Sequence, residues 1–154
     1  MYKILFICLG NICRSPMAEF LLKDMVKKRG IADNFYIASA ATSSYEIGNP
    51  VHRGTRTKLA EYGISVSGKT AVQLTKADYD KYDYLIGLDS GNIRDILRII
   101  GSDPQRKVYK LLQFAGSDRN IADPWCTGNF DVTYDDIYEG CNALLNFLKT
   151  KKNI

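Results

Sequence analysis

Cys8, Arg14 and Ser15 stand close together in CLGNICRSP (Cys8 to Pro16), directly after the apolar run ILFI. With 4 cysteines among 154 residues, the spacing C-x5-R-[ST] arises by chance roughly 0.02 times in such a chain. Five residues between a cysteine and an arginine can curl round one tetrahedral dianion and point successive backbone N–H groups at it. Arg14 adds a planar fork that grips two phosphoryl oxygens, which a lysine cannot do. The same dipoles and guanidinium keep Cys8 as a thiolate at neutral pH. A thiolate so held attacks phosphorus in line and forms a cysteinyl-phosphate. Ser15 can donate a hydrogen bond to the sulfur and so make it a better leaving group in the second step. Gly10 and Asn11 tolerate the dihedrals of a tight curl. Leu9, Ile12 and Cys13 complete the loop.

Two other chemistries compete for these cysteines. A metal site needs further Cys or His ligands at workable spacing. Cys126 and Cys141 are distant and outside any CxxC pair, and the single histidine, His52, is expected near a helix start in a local hydrogen bond or in water. A dithiol relay would use Cys8 with Cys13, but their spacing is not the CxxC of oxidoreductases. The pair survives as a secondary property, a reversible disulfide that shields Cys8 from overoxidation; the plainer expectation is that Cys13 only lines the loop.

A phenolate leaving group needs a proton as it departs, so an acid must reach the mouth of the loop. Seventeen acidic residues are available, and composition cannot choose among them. Asp123 stands out because Pro124 fixes the backbone after it and Trp125 supplies a flat apolar surface, although Asp-Pro is also an ordinary turn.

The elements that must hold these groups follow from periodicity. Tyr2 to Cys8 predicts a buried strand. Pro16 suits a first helical turn, and Met17, Phe20, Leu21 and Met25 carry that helix to about Arg29, before Gly30. Further strands are expected at Phe35 to Ala40, Tyr84 to Leu88 and Lys107 to Leu111, with Val66 in a short extended piece. Helices are expected at Val51 to Tyr62, from a start near Thr75 to Asp80, at Ser90 to Ile100, and through Ile137, Cys141, Leu144, Leu145 and Leu148. A loop rich in Ser, Tyr, Gly and Pro covers Ala41 to Pro50, and another holds Asp123. Tyr79, Tyr82, Tyr134 and Tyr138 could face core, solvent or an interface. The alternation implies one α/β domain over residues 1–154, a three-layer sandwich whose four-stranded parallel sheet carries helices on both faces. Sites on such sheets lie beyond the carboxyl ends of the strands, where Cys8 sits.

The bulk numbers agree. Apolar content of 45% and charged content of 25% are ordinary for a globular protein. A net charge of +4 falls short of a nucleic-acid signature. The basic clusters Lys27-Lys28-Arg29 and Lys149 to Lys152 suit helix C-termini. No apolar run approaches the ~18 residues that span a bilayer, and the short N-terminal run does not read as a signal peptide. Four cysteines do not form a secreted framework. The expectation is a cytoplasmic protein with reduced thiols and no membrane or nucleic-acid partner.

The chain resembles the low-molecular-weight protein tyrosine phosphatases in ICLGNICRSPMAE, Ser39-Ala40 and the following loop, DYLIGLDSGN, and IADPW. The resemblance implies a monomeric, metal-independent, cofactor-free hydrolase of tyrosine-phosphorylated proteins that takes phosphate and other oxyanions in its loop. It implies Cys8 as nucleophile, Arg14 as phosphate ligand, and Asp123 as general acid and then base. Asn11, Ser15 and Ser39 would form the network holding loop and thiolate, Asp89 would belong to its supporting shell, and Tyr45 and Trp125 would wall the cleft with Ile12. The family often places a histidine in the network, in a segment like GKTAVQLT (Gly68 to Thr75); here Lys69 or Gly68 takes its place. Many members carry two tyrosines after Asp-Pro, where this chain has Trp125-Cys126, so regulation there by phosphorylation is not expected. Related arsenate reductases use a further cysteine pair that is missing here. Arginine phosphatases tend to have threonine where Ile12 stands, so Ile12 favours an aryl phosphate. A catalytically silent phosphate-binding module would have lost one of Cys8, Arg14 and Asp123, and all three are present.

Overall fold

The computed structural model describes residues 1–151; Lys152 of the second basic cluster lies outside them. Strand β1 (Tyr2–Cys8) is nearly all buried, and its period of two divides its side chains between two cores. Ile4, Phe6 and Cys8 join the cluster beneath α1 (Arg14–Lys28) and α6 (Phe130–Lys151). Leu5 and Ile7 join the opposite cluster, beneath α3 (Asp78–Lys81) and α4 (Ser90–Ile100). β1 pairs in parallel with β2 (Phe35–Ala41) and β3 (Tyr84–Gly87), and β3 with β4 (Val108–Lys110), giving the order β2-β1-β3-β4. This is the expected three-layer parallel fold. Successive strands are added on both sides of β1, so the crevice of the sheet opens at its carboxyl end, at Cys8.

Several boundaries differ from the sequence expectation, each for a local reason. α1 starts at Arg14 rather than Pro16. N–H groups of a first turn have no intrahelical partner, so a proline within it forfeits no bond. Arg14 and Ser15 are therefore already helical. α2 (Arg53–Ala60) is shorter than Val51 to Tyr62 because the His52 imidazole caps it, Nδ1 accepting the Gly54 N–H at 3.0 Å. His52 thus makes the local hydrogen bond expected of it. Val66 is in no strand. The helix expected from Thr75 begins at Asp78, whose carboxylate accepts the Thr75 N–H and braces the preceding turn.

Asp123-Pro124-Trp125 is not a plain loop. It opens a four-residue helix, α5 (Pro124–Thr127), with Asp123 as N-cap and Pro124 in the first turn. α6 begins at Phe130, well before Ile137. Tyr79, Tyr82 and Tyr134 are buried, whereas Tyr138 is exposed. Lys27 and Lys28 end α1, and Lys149 and Lys151 lie in the last turn of α6, as the charge pattern suggests.

Candidate active site

The loop after β1 turns its carbonyls outward. Thr42 N–H donates to Cys8 O at 2.9 Å, Ser43 N–H and Oγ to Leu9 O, His52 N–H to Ile12 O at 2.8 Å, and Thr55 Oγ1 to Cys13 O at 3.2 Å. With these acceptors taken from outside, N–H groups are left to face the loop's centre. Asn11 and Ser15 N–H point at Cys8 Sγ from 3.3 and 3.4 Å, and Ser15 Oγ lies 3.0 Å from it. The tight conformation falls on Asn11, at φ 57°. Gly10 does not adopt a positive φ, so the dihedral reason given for it does not hold.

Arg14 is 3% exposed and reaches across the crevice. Its Nη1 donates to Asp89 Oδ2 at 2.6 Å and to Ile121 O at 2.8 Å. Asp89 is held in turn, capping α4 through its bond from Asn92 N–H. Burial opposes the Arg14 charge, but Cys8 and Asp89 outweigh it and hold the guanidinium above its usual range. Asp123 Oδ2 lies 3.9 Å from Arg14 Nη2, and its Oδ1 accepts the Trp125 N–H at 3.1 Å. Arg14 is thus tied on one side, leaving Nη2 towards Asp123.

A cleft of about 210 Å³ opens over Cys8, with Arg14 and Asp123 in its lining and Ile12, Tyr45 and Trp125 among its walls. Tyr45 is 81% and Trp125 62% exposed. Trp125 meets the His52 ring edge-on at 5.2 Å, and His52 stacks on Phe130 at 5.5 Å. Phe130 sits so close to the α2 start that a Cβ on Gly54 would lie 2.2 Å from its ring. His52 therefore supports the cleft wall, a role its sequence position alone did not suggest.

Beneath the loop lies the polar network. Asn11 Nδ2 donates to Ser15 Oγ at 2.7 Å and to Ser39 Oγ at 2.9 Å. The network runs further than the expected residues: Ser39 Oγ donates to Glu19 Oε1 at 2.5 Å, and Lys69 Nζ donates to Ser39 O at 2.9 Å. Of Gly68 and Lys69, it is Lys69 that reaches the network. Glu19 was not anticipated. Its signal was its place one helical turn beyond Ser15, on the same face of α1.

The other cysteines divide clearly. Burial, then the charges of Cys8 and Asp123, push the Cys13 thiol up to about 12, so it stays protonated at neutral pH. Cys141 is buried in α6, where burial raises its thiol, and Cys126 is exposed; all four are free. Donors aimed at one sulfur, a tied arginine and a carboxylate at the cleft mouth are the parts that phosphoryl transfer to a thiol requires.

Comparison with known proteins agrees in sequence and in shape. The low molecular weight protein-tyrosine-phosphatase YfkJ of Bacillus subtilis is 38% identical over 156 residues, covering 100% of both chains. Its crystal structure superposes with a TM-score of 0.94 over 99% of this chain and 98% of that one. SP-PTP, a low molecular weight protein tyrosine phosphatase of Streptococcus pyogenes, is 39% identical with a TM-score of 0.86, covering 96% of this chain and 93% of its own. A Drosophila arginine phosphatase is 28% identical with a TM-score of 0.88, covering 97% and 99%. The family model described as low molecular weight phosphotyrosine protein phosphatase matches residues 3–154, and the chain belongs to that family.

Proposed function

We propose that the chain, as one domain, is a protein tyrosine phosphatase that works through a cysteinyl-phosphate. The observation that carries this reading is the pair of N–H groups and the Ser15 hydroxyl converging on Cys8 Sγ. The phosphoryl dianion of a tyrosine-phosphorylated protein enters the loop and is held by Arg14 and the inward N–H groups. Cys8 thiolate attacks phosphorus while Asp123 gives its proton to the departing phenolate oxygen. Asp123, now ionised, takes a proton from water as that water attacks the cysteinyl-phosphate. Phosphate leaves and the thiolate is restored, its developing charge met by Ser15.

The flat walls at Tyr45 and Trp125, with apolar Ile12 between loop and substrate, suit an aromatic ring. A related fold serves an arginine phosphatase, so the architecture alone does not choose the substrate. Turnover of phosphotyrosine, phosphoserine and phosphoarginine peptides by the same preparation, with chelator present, tests the choice. A preference for phosphotyrosine supports the reading; equal or greater turnover of phosphoarginine defeats it.

Cys13 gives the site a second chemistry. Peroxide oxidises the Cys8 thiolate to a sulfenic acid, and the Cys13 thiol condenses with it, releasing water and forming a disulfide. If peroxide inactivation of Cys13→Ser is as reversible by thiol as that of the unmodified protein, this protective role fails.

A further inference from the structure

The direction of every hydrogen bond beneath the loop can be worked out from its two ends. Glu19 carboxylate has only lone pairs to offer, so the proton between it and Ser39 belongs to Ser39. Ser39 oxygen is then left to accept from Asn11 Nδ2. The Asn11 amide is oriented from its other side, where Oδ1 accepts the Val72 N–H at 3.1 Å. Its second Nδ2 proton goes to Ser15 Oγ. The Ser15 proton has two acceptors within reach, Cys8 Sγ at 3.0 Å and Ala40 O at 3.5 Å, and the sulfur is the nearer. One amide thus feeds two hydroxyls, each of which donates to an anion: Glu19 on one arm and Cys8 on the other.

Two anions on one buried network repel each other, and a buried carboxylate needs a counter-charge. Glu19 is 4% exposed. Lys23 Nζ meets its outer oxygen at 2.5 Å from the same helix, but the Lys23 side chain is 44% exposed and screened by water. Lys69 Nζ stands 3.7 Å from the inner oxygen Oε1, the one that Ser39 contacts, on a side chain only 13% exposed. Burial draws the Lys69 ammonium below its ordinary value, against the pull of Glu19 and, more weakly, of Cys8. The other charged or titratable groups here are Tyr82, which feels Glu19, and Arg14, Asp123 and Cys13 around Cys8.

We propose that Glu19 and Lys69 are a positioning pair for Cys8. Glu19 fixes the donor direction of the network so that Ser15 donates to sulfur, and Lys69 cancels the field of that carboxylate at the thiolate. The proposal rests on Cys8 being the nucleophile. It gives the two partners opposite effects: loss of the cation disfavours the thiolate, and loss of the anion favours it while loosening the network.

The test uses the full chain and measures the pH dependence of Cys8 alkylation by iodoacetamide, located by peptide mass. It is paired with kcat and KM for p-nitrophenyl phosphate over the same pH range. Lys69→Met is expected to move the alkylation midpoint and the acid limb of kcat/KM upward by about one pH unit, so that alkylation at a pH well below both midpoints is slowed about tenfold. Glu19→Gln should move the midpoint downward yet lower kcat several-fold, because Ser39 has lost its fixed acceptor. The double variant should return the midpoint close to that of the unmodified protein while kcat stays low, a rescue that general loosening cannot give. Should Lys69→Met not fold, Glu19→Gln decides alone: a midpoint unchanged or raised overturns the proposal. Likewise a Lys69→Met midpoint that does not move, or a double variant as displaced as Lys69→Met, overturns it. If Cys8→Ser retains turnover, the nucleophile itself is wrong and the positioning pair falls with it; an unmoved midpoint at a Cys8 essential for turnover defeats the pair alone.

Discussion

The carbonyls of Cys8, Leu9, Ile12 and Cys13 are each taken by a neighbouring segment. Across the same cleft, Tyr45 on the turn after β2 and Trp125 on the four-residue helix α5 stand mostly in water. The loop is fixed from outside, so its amides cannot relax away from a bound anion, and electrostatic stabilisation that is already oriented requires no reorganisation during reaction. The rim contributes area and a ring-shaped gap, and its geometry depends on a stack that runs through His52 to Phe130. On the proposed reading, chemistry falls to a loop held by hydrogen bonds and selectivity to an exposed rim, with Asp123 between them: bonded to the rim helix, yet 3.9 Å from Arg14.

That division is broken most directly at the sulfur. Cys8→Ser should lower kcat by roughly 10⁴-fold or more while phosphate binding persists, as measured by steady-state kinetics and by phosphate protection against thermal unfolding. Asp123→Asn should lower kcat/KM, which reports transfer to Cys8, by about 10²- to 10³-fold for phenyl phosphate and much less for p-nitrophenyl phosphate, whose leaving group needs little proton donation. An equal loss on both would remove Asp123 from the acid role. At the rim the effect should shift to binding. Trp125→Ala should raise KM for phosphotyrosine peptide about tenfold, some 1.4 kcal/mol, with kcat little changed. A fall in kcat alone would mean that the wall positions Asp123 rather than the ring.

A smaller effect is expected from buried groups that hold their protons. Burial pushes Cys13, Tyr84 and Tyr134 up to about 12 in the folded chain. The native state therefore holds these protons longer than the unfolded chain does. Stability from this source is complete below about pH 9, the range where unfolded thiols and phenols begin to ionise, and is lost as pH climbs towards 12. Tm should fall across that window, and Tyr134→Phe should flatten the fall. A Tm independent of pH from 8 to 11 would contradict the burial of these groups.

Much of the site could be read from the chain because the loop is local. β1, Cys8, Arg14 and Ser15 occupy one stretch, and a buried strand feeding a C-x5-R segment needs no distant contact to be recognised. Asp123 was harder, since only folding carries it to Arg14. Its Asp-Pro pair is also an N-cap followed by a first-turn proline, which would have placed α5. Glu19 was hidden for a different reason: a carboxylate on α1 looks like a solvated helical residue until Ser39 and Lys69 close over it from other segments. The same holds for His52, whose ring partners come from α5 and α6. Helix starts moved by a few residues because the His52 cap and the Asp78 bond to the turn before its helix are side-chain bonds that apolar periodicity does not register.

The proposed function requires that the loop aim Cys8, and no other group, at phosphorus. Rapid acid quench of the Asp123→Asn protein during turnover of p-nitrophenyl phosphate, followed by peptide mapping, tests it directly, because dephosphorylation is slowed there and the intermediate accumulates. One phosphoryl group per chain is expected on the peptide that bears Cys8, appearing with the burst of nitrophenol and absent in the Cys8→Ser protein. A burst with no covalent phosphate, or phosphate carried by Cys13 or any other residue, would contradict it.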